Sequence, residues 1–156
     1  MERMRSYPKR SWYLHLPLYY EQQEKATIPF TPAVQVYYAF DEALNELLEE
    51  GVVNRIARYK KAATMIRQTM NNLGVKPVLS PEHQSNTITS YYLPAGLSYQ
   101  LLHDRLKERG YVIYAGQGQL EPKIFRIANM GALSQQDLQG FLSAFENVLE
   151  TAPVPS

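Results

Sequence analysis

Two long segments in the first half of the chain have the apolar spacing of amphipathic helices, and each ends at a glycine. The first runs from Thr31 to Gly51, with Thr31 placed as the N-cap and Pro32 at the first helical position, where a missing backbone N–H has no cost. The second is predicted over about Val53 to Leu73 and closes at Gly74. The apolar residues of the first segment are Val36, Phe40, Ala43, Leu44, Leu47 and Leu48. Those on the predicted inward face of the second are Ile56, Tyr59, Ala63, Ile66 and Met70.

Shorter elements follow in the second half of the chain. Three segments predict strands: Asn86 to Leu93, Tyr111 to Ala115 and Lys123 to Ala128. Ser98 caps a short helix between the first two, and Ser134 opens the last helix with a capping box in which Asp137 replaces the usual glutamate. The order helix, helix, strand, helix, strand, strand, helix predicts an α+β fold, in which helices cover one face of a small sheet.

The first 30 residues predict an irregular arm, because Pro8, Pro17 and Pro29 interrupt them. The run SWYLHLPLYY within this arm is too apolar for a solvated tail, so something must cover it. We therefore divide the chain into a connecting arm at 1–30, a small α+β domain at 31–150 and a frayed tail at 151–156.

Composition excludes several classes of function. Lys and Arg total 16 against 15 acidic residues, so the chain has no excess charge to attract a nucleic acid. No stretch approaches the roughly 20 apolar residues of a membrane helix. The absence of cysteine, and of a signal-peptide pattern at the N-terminus, predicts a cytoplasmic protein. The histidines, His15, His83 and His103, have no metal-ligand spacing, so we expect no metal site.

Two residues stand out as candidate ligands. Arg126 interrupts the apolar strand KIFRIANMG; it is either an arginine at a sheet margin with its head in water, or a planar fork that grips a carboxylate or phosphate by two hydrogen bonds. Thr31 is either a simple helix cap or part of an exposed helix N-terminus that holds a phosphate oxygen.

The segments FTPAV (30–34), DEALNELLEEG, AGQGQ and FRIANMG, followed by a capped final helix, resemble the C-terminal part of class V aminotransferases. These are fold-type-I enzymes that use pyridoxal phosphate. The resemblance extends from about Arg10 to Leu149, and the order and spacing of FTPAV and FRIANMG are its most specific elements. Within the class, the chain is similar to the 2-aminoethylphosphonate:pyruvate and the alanine:glyoxylate or serine:glyoxylate aminotransferases.

The resemblance implies roles for both candidates. The arginine of the FRIxxMG-type motif, here Arg126, binds the carboxylate of the amino acid or keto acid. The threonine of the FTP segment, here Thr31, reaches across a homodimer interface to the phosphate of the partner subunit's cofactor. The lysine that holds the cofactor as a Schiff base lies, in the family, upstream of the segment seen here, and no lysine of this chain has its small-residue context.

We therefore expect a C-terminal portion of a transaminase that moves an amino group from a donor to a 2-oxo acid, pyruvate or glyoxylate. Residues 1–30 are then the connecting arm from a large cofactor domain that is missing here. Without the lysine-bearing segment, the chain is expected to be inactive alone. The alternative is a stand-alone α+β binding or regulatory module, in which Arg126 holds a small carboxylate and no cofactor chemistry occurs.

Overall fold

The computed structural model describes residues 2–151, and the chain divides into two units, Met1–Glu49 and Glu50–Ser156. The helices of the first half are α1 (Glu2–Arg5), α2 (Leu16–Glu24), α3 (Val34–Glu50) and α4 (Val52–Asn72). The elements that follow are β1 (Ile88–Tyr92), α5 (Tyr99–Glu108), β2 (Tyr114–Ala115), β3 (Ile124–Ala128) and α6 (Gln135–Glu150). The predicted boundary between arm and domain, at residue 30, stays a prediction. All but the first residue of the predicted frayed tail lie outside the described residues.

The predicted arm is more regular than its prolines suggested. Helix α2 begins at Leu16, and Pro17 occupies its N-terminal turn, where a proline has no intrahelical hydrogen bond to lose. Pro17 therefore starts a helix instead of breaking one, and the prediction of an irregular segment was wrong there. The rings of Tyr13, Tyr19 and Phe30 cluster with centroids 5.4 to 6.4 Å apart.

Helix α3 begins later than predicted, at Val34. The carbonyl of Pro32 accepts from the N–H of Val34 at 2.9 Å, which closes a three-residue turn. The first helical acceptor is the Ala33 carbonyl, which takes the N–H groups of Val36 and Tyr37 at 2.9 and 3.3 Å. Thr31 therefore lies before that turn and is not the N-cap, contrary to the sequence prediction.

The sheet belongs to the second unit and has the strand order β1-β3-β2, with both pairs antiparallel. Tyr91 pairs with Phe125, and Thr89 pairs with Ile127. These four side chains are buried, and one core cluster joins the three apolar ones to residues of α4, α5 and α6. The structure thus confirms the predicted α+β fold, a small sheet covered by helices on one face.

Helix ends in the second unit follow the predicted local signals. Ser98 accepts from the Leu101 N–H at 3.2 Å, and Ser134 accepts from the Asp137 N–H at 3.1 Å. The Asp137 carboxylate in turn accepts from the Ser134 N–H at 2.8 Å, so the capping box is complete. Hydrogen bonds from Ser134 hold the pKa of Asp137 below its ordinary value.

The predicted second strand is shorter than its sequence pattern. Only Tyr114 and Ala115 pair with β3. The Tyr111 N–H donates instead to the Leu106 carbonyl at 2.9 Å, and the Tyr111 ring packs on Phe141, 5.7 Å between centroids. Residues 111–113 are therefore held by helices and leave the sheet ladder.

The predicted inward faces of α3 and α4 differ in burial. In α4, Ala63, Ile66 and Met70 are buried as predicted, but Ile56 is 58% exposed. In α3 no residue is buried, so the predicted inward face of that helix is open in this chain. Among residues 2–151, no helix combines the length and apolar character needed to cross a bilayer.

Candidate functional site

Arg126 lies in the central strand of the sheet. Its neighbours Phe125 and Ile127 are 0% and 5% exposed and point into the core, so alternation turns Arg126 to the opposite face. Arg126 is only partly buried on that face, while Ile124, two residues earlier on the same face, is buried. The side chain of Arg126 thus starts from a central strand that is paired on both sides at this residue.

The guanidinium of Arg126 is fixed at one of its nitrogens. Its Nε donates to the carbonyl of Ala115 on the neighbouring strand at 2.8 Å. Within residues 2–151, Nη1 and Nη2 make no hydrogen bond, and no carboxylate pairs with this arginine. The Ala115 carbonyl therefore fixes the plane of the guanidinium through Nε, and both terminal nitrogens are available to an anion.

The strands beside Arg126 contribute one polar side chain each. In the register of the sheet, Ser90 of β1 and Tyr114 of β2 are its direct cross-strand partners. The β2 backbone next to Tyr114 is tied down, because Tyr99 donates its hydroxyl to the Ile113 carbonyl at 3.0 Å. Burial raises the pKa of Tyr99, and the positive charge of Arg126 opposes that shift.

The turn before β3 folds back tightly on the strand. The Gly116 N–H donates to the Ile124 carbonyl at 3.1 Å. A Cβ at Gly116 would lie 2.5 Å from the Leu120 carbonyl oxygen and 2.7 Å from the Ile124 side chain. This close approach requires glycine, which explains the first glycine of the AGQGQ turn.

The end of the FRIANMG segment is anchored to α4. Asn129, 2% exposed, donates its side-chain amide to the Asn86 carbonyl at 2.9 Å. The Gly131 N–H donates to the Tyr59 hydroxyl at 3.2 Å, and the Gly131 carbonyl accepts from Arg58 Nη1 at 2.7 Å. Asn129 and Gly131 thus hold the strand that carries Arg126.

Arg58 also binds the carboxylate of Glu50. Its Nε and Nη2 donate to the two Glu50 oxygens at 2.5 and 2.9 Å, and Arg55 Nε adds a third contact at 2.5 Å. Hydrogen bonds from Arg58, then from Arg55, lower the pKa of Glu50 to about 2. The hydrogen bond from Arg58 to Gly131 spans 73 residues, so the sequence carries no local signal for this partner.

Thr31 belongs to the other unit, Met1–Glu49. Its side chain is exposed, and its hydroxyl makes no hydrogen bond within residues 2–151. It lies three residues before the 17-residue helix α3. An available hydroxyl close to a helix N-terminus fits a phosphate group, as the resemblance implies for pyridoxal phosphate. The roles of Thr31 and Arg126 stay predictions.

No protein-family model matches the chain. Individual sequences do: an uncharacterized aminotransferase of Methanocaldococcus jannaschii is 32% identical over 144 residues, which are 91% of this chain and 37% of the relative. The 2-aminoethylphosphonate–pyruvate transaminase of Lysinibacillus sphaericus is 36% identical over 122 residues, 77% of this chain and 33% of the relative. The chain thus spans about a third of the length of these curated relatives.

Solved structures of aminotransferases also match most of this chain. The aspartate aminotransferase of Thermus thermophilus superposes with a TM-score of 0.81 at 29% identity, over 94% of this chain and 41% of that one. The ureidoglycine–glyoxylate aminotransferase of Bacillus subtilis superposes with a TM-score of 0.86 over 96% of this chain and 40% of that one, and at 24% identity it supports the fold alone. These relatives and structural neighbours are all aminotransferases, the kind of enzyme for which the resemblance implies pyridoxal phosphate.

Proposed function

Because this chain is homologous to the C-terminal part of class V aminotransferases, we propose that it supplies the acid-binding side of a transaminase active site. The complete enzyme moves an amino group from a donor to a 2-oxo acid, pyruvate or glyoxylate. When bound, pyridoxal phosphate supplies the electron sink for this transfer. The residues of this chain bind and orient the acid, and they contact the phosphate of the cofactor.

The observation that carries the proposal is the geometry of Arg126. Its Nε is occupied by the Ala115 carbonyl, and Nη1 and Nη2 remain for the two oxygens of a carboxylate. A guanidinium fixed in this way loses little further rotational freedom when the acid binds. Two parallel hydrogen bonds then set the direction of the carbon chain, and positioning of this kind lowers a barrier by several kcal/mol, on the order of the intramolecular effects measured in model systems.

Thr31 takes the second role. Its exposed hydroxyl donates to a phosphate oxygen of the cofactor in the partner subunit of a homodimer. The absence of a cap hydrogen bond supports this role, because a hydroxyl committed to its own helix would have to give up that bond first. The active site therefore needs two copies of the enzyme.

The isolated chain is expected to be inactive. Every lysine in it is exposed: Lys9, Lys25, Lys60, Lys61, Lys76, Lys107 and Lys123. An exposed lysine lies outside any enclosed pocket that could hold the cofactor ring and keep water from the imine, so none of them is prepared to anchor the cofactor. The lysine, and the acidic residue that holds the cofactor ring, belong in the remaining two thirds of the relatives' length.

The test is a binding measurement on the isolated chain. We expect pyruvate to bind at millimolar concentration, observed by saturation-transfer difference NMR of its methyl group, and Arg126→Gln to abolish the signal. Arg126→Lys is the matched variant, which keeps the charge and loses the fork, and we expect it to retain only part of the signal. Binding that is unchanged in Arg126→Gln would overturn the proposal.

A titration with pyridoxal phosphate separates the proposal from a stand-alone carboxylate-binding module. We expect no stoichiometric absorbance change from lysine-bound cofactor with the chain alone. We expect such a change, and transamination, when the chain is joined to the N-terminal part of the Methanocaldococcus jannaschii relative that it does not match. A joined protein that binds pyruvate and never the cofactor would favour the module.

A further inference from the structure

We propose that Tyr114 is a second substrate-contacting residue and limits the acid to a small substituent on its 2-carbon. The inference rests on the proposed role of Arg126 and deepens it. Tyr114 of β2 is the direct cross-strand partner of Arg126 in the antiparallel register. Direct partners place their Cβ atoms about 4.5–5.5 Å apart on the same face, so the phenol ring starts beside the guanidinium.

The backbone on both sides of Tyr114 is held by side chains. The preceding carbonyl, of Ile113, accepts from the Tyr99 hydroxyl at 3.0 Å. The following carbonyl, of Ala115, accepts from Arg126 Nε at 2.8 Å. The hydrogen bond that orients the guanidinium is thus the same one that fixes β2, and the two side chains are positioned together. A two-residue strand at a sheet edge would otherwise be among the more mobile parts of the fold.

The Tyr114 side chain itself is uncommitted. It is 59% exposed, and its hydroxyl makes no hydrogen bond within residues 2–151. Large aromatic side chains that remain this exposed on a rigid element are typical of binding surfaces. A tyrosine offers both an apolar ring edge and a hydroxyl, so it can contact the carbon next to a carboxylate without competing for the Arg126 fork.

The side chains opposite Arg126 on the two neighbouring strands differ in size. On the β1 side its direct partner is Ser90, and on the β2 side it is Tyr114. An acid held by the fork therefore has room towards Ser90 and meets a ring towards Tyr114. A hydrogen or methyl substituent fits against the ring, whereas a branched substituent is forced out of the plane of the fork. Arg126 is also the only charged residue that β1, β2 and β3 place on this face, which suits a monoanionic acid.

A competition experiment tests the inference. Pyruvate and 2-oxoisovalerate, a branched 2-oxo acid, compete for the full chain, and saturation-transfer difference NMR of their methyl groups gives the ratio of the two affinities. We expect the wild-type chain to prefer pyruvate at least about threefold, below the roughly tenfold or more that an enclosed pocket gains per methylene. Tyr114→Thr, which keeps a strand-forming residue and removes the ring, should bring the ratio close to one. Tyr114→Phe should keep the preference.

Matched variants make each outcome decisive. Tyr92→Thr makes the same change at a 48% exposed tyrosine on the same sheet face, opposite Ile124 instead of Arg126, and should leave the ratio unchanged. Loss of both signals in Arg126→Gln, together with a wild-type ratio in Tyr114→Thr and Tyr114→Phe, overturns the role of Tyr114 and leaves the proposed function intact. Retention of both signals in Arg126→Gln overturns the proposed function itself. Circular dichroism of Tyr114→Thr checks its fold, and Tyr114→Phe supports the role only if it keeps the preference.

Discussion

Helix α6, in the unit Glu50–Ser156, buries the apolar face that its spacing predicted, whereas α3, almost all of it in Met1–Glu49, leaves its own face exposed. Phe141 and Phe145 of α6 are 9% and 0% exposed, while Phe40 and Leu48 of α3 are 61% and 74% exposed. The two patterns are alike in sequence. Apolar periodicity therefore reports that a face requires a partner, and it does not report which polypeptide provides it.

The same contrast separates the two units as a whole. The core cluster of sixteen buried residues lies entirely within 62–148, and in Met1–Glu49 the only buried residue that the structure describes is Pro17. Relatives of which this chain covers 37% and 33% have ample further sequence to cover such a surface. The four predictions below test whether the exposed unit differs from the core as the structure indicates.

The largest effect is expected from equivalent truncations in the two units. Phe145→Ala removes a ring stacked 5.6 Å from Phe125 in the core, and should reduce the free energy of unfolding by about 3–5 kcal/mol. Phe40→Ala removes a side chain that is already 61% exposed, and should change the free energy of unfolding by less than about 0.5 kcal/mol. Urea unfolding followed by circular dichroism measures both. Similar losses would show that α3 is covered in solution.

Association of the chain should depend on the exposed face of α3. We expect the wild-type chain to form oligomers or to be poorly soluble, because large exposed apolar patches associate. Phe40→Gln with Leu48→Gln should shift it towards monomer, since each such side chain contributes roughly 1.5–3 kcal/mol when fully buried. Light scattering coupled to size exclusion gives the mass. Glu42→Gln with Glu46→Gln is the matched control on the same helix, and a monomeric wild-type chain at high concentration would contradict the expectation.

The fold of the second unit was predictable because its signals are local. Ser98 and the Ser134 box define where α5 and α6 begin, and Gly74, with φ of 71°, marks where the turn after α4 needs a left-handed residue. The prediction for this unit was wrong where tertiary contacts, and not the local sequence, determine the secondary structure. Residues 111–113 have a strand-like composition, yet the Leu106 carbonyl and the Phe141 ring hold Tyr111 out of the ladder.

The candidate site was predictable only in its most unusual residue. Arg126 stood out because a charge interrupts an apolar strand. The Ala115 carbonyl that orients it, and the Arg58 side chain that holds Gly131 from 73 residues away, leave no local trace in the sequence. Such partners are set by the packing of α4 and β2 against the central strand, so no spacing rule could have selected them.

Removing a hydroxyl near a helix N-terminus in each unit should change the free energy of unfolding by less than the core truncation does, and the two changes can be compared directly. Ser134→Ala removes an observed cap and should cost about 1 kcal/mol, within the 0.5–2 kcal/mol typical of such changes. Thr31→Ala removes a hydroxyl that caps nothing within the described residues, and should leave the free energy of unfolding nearly unchanged. The two variants are compared by their urea midpoints. A loss of about 1 kcal/mol in Thr31→Ala would show that the threonine caps α3 after all, as the sequence predicted.

The smallest effect is expected at Glu50, the last residue of α3, where the exposed helix meets a polar clamp. Arg58, and then Arg55, lower the pKa of Glu50 from its ordinary 4.5 to about 2. A carboxyl group with a lowered pKa stabilises the folded state fully above its unfolded value, and this contribution is lost as the pH falls from about 4.5 towards 2. The difference in urea midpoint between wild type and Glu50→Gln should therefore be present at pH 6 and shrink over that window.

Glu42→Gln, at an exposed position with no salt bridge within residues 2–151, removes a carboxylate from the same helix and serves as the control. A difference between wild type and Glu50→Gln that stays constant from pH 6 to pH 2 would mean that the carboxylate is not held by Arg58 in solution. The anchoring of Gly131 by the same guanidinium would then lose its support, because Arg58 could no longer be oriented by Glu50. Glu50, the last residue of α3 and the first of the second unit, would in that case have no stabilising side-chain contact in solution, like the exposed apolar residues of that helix.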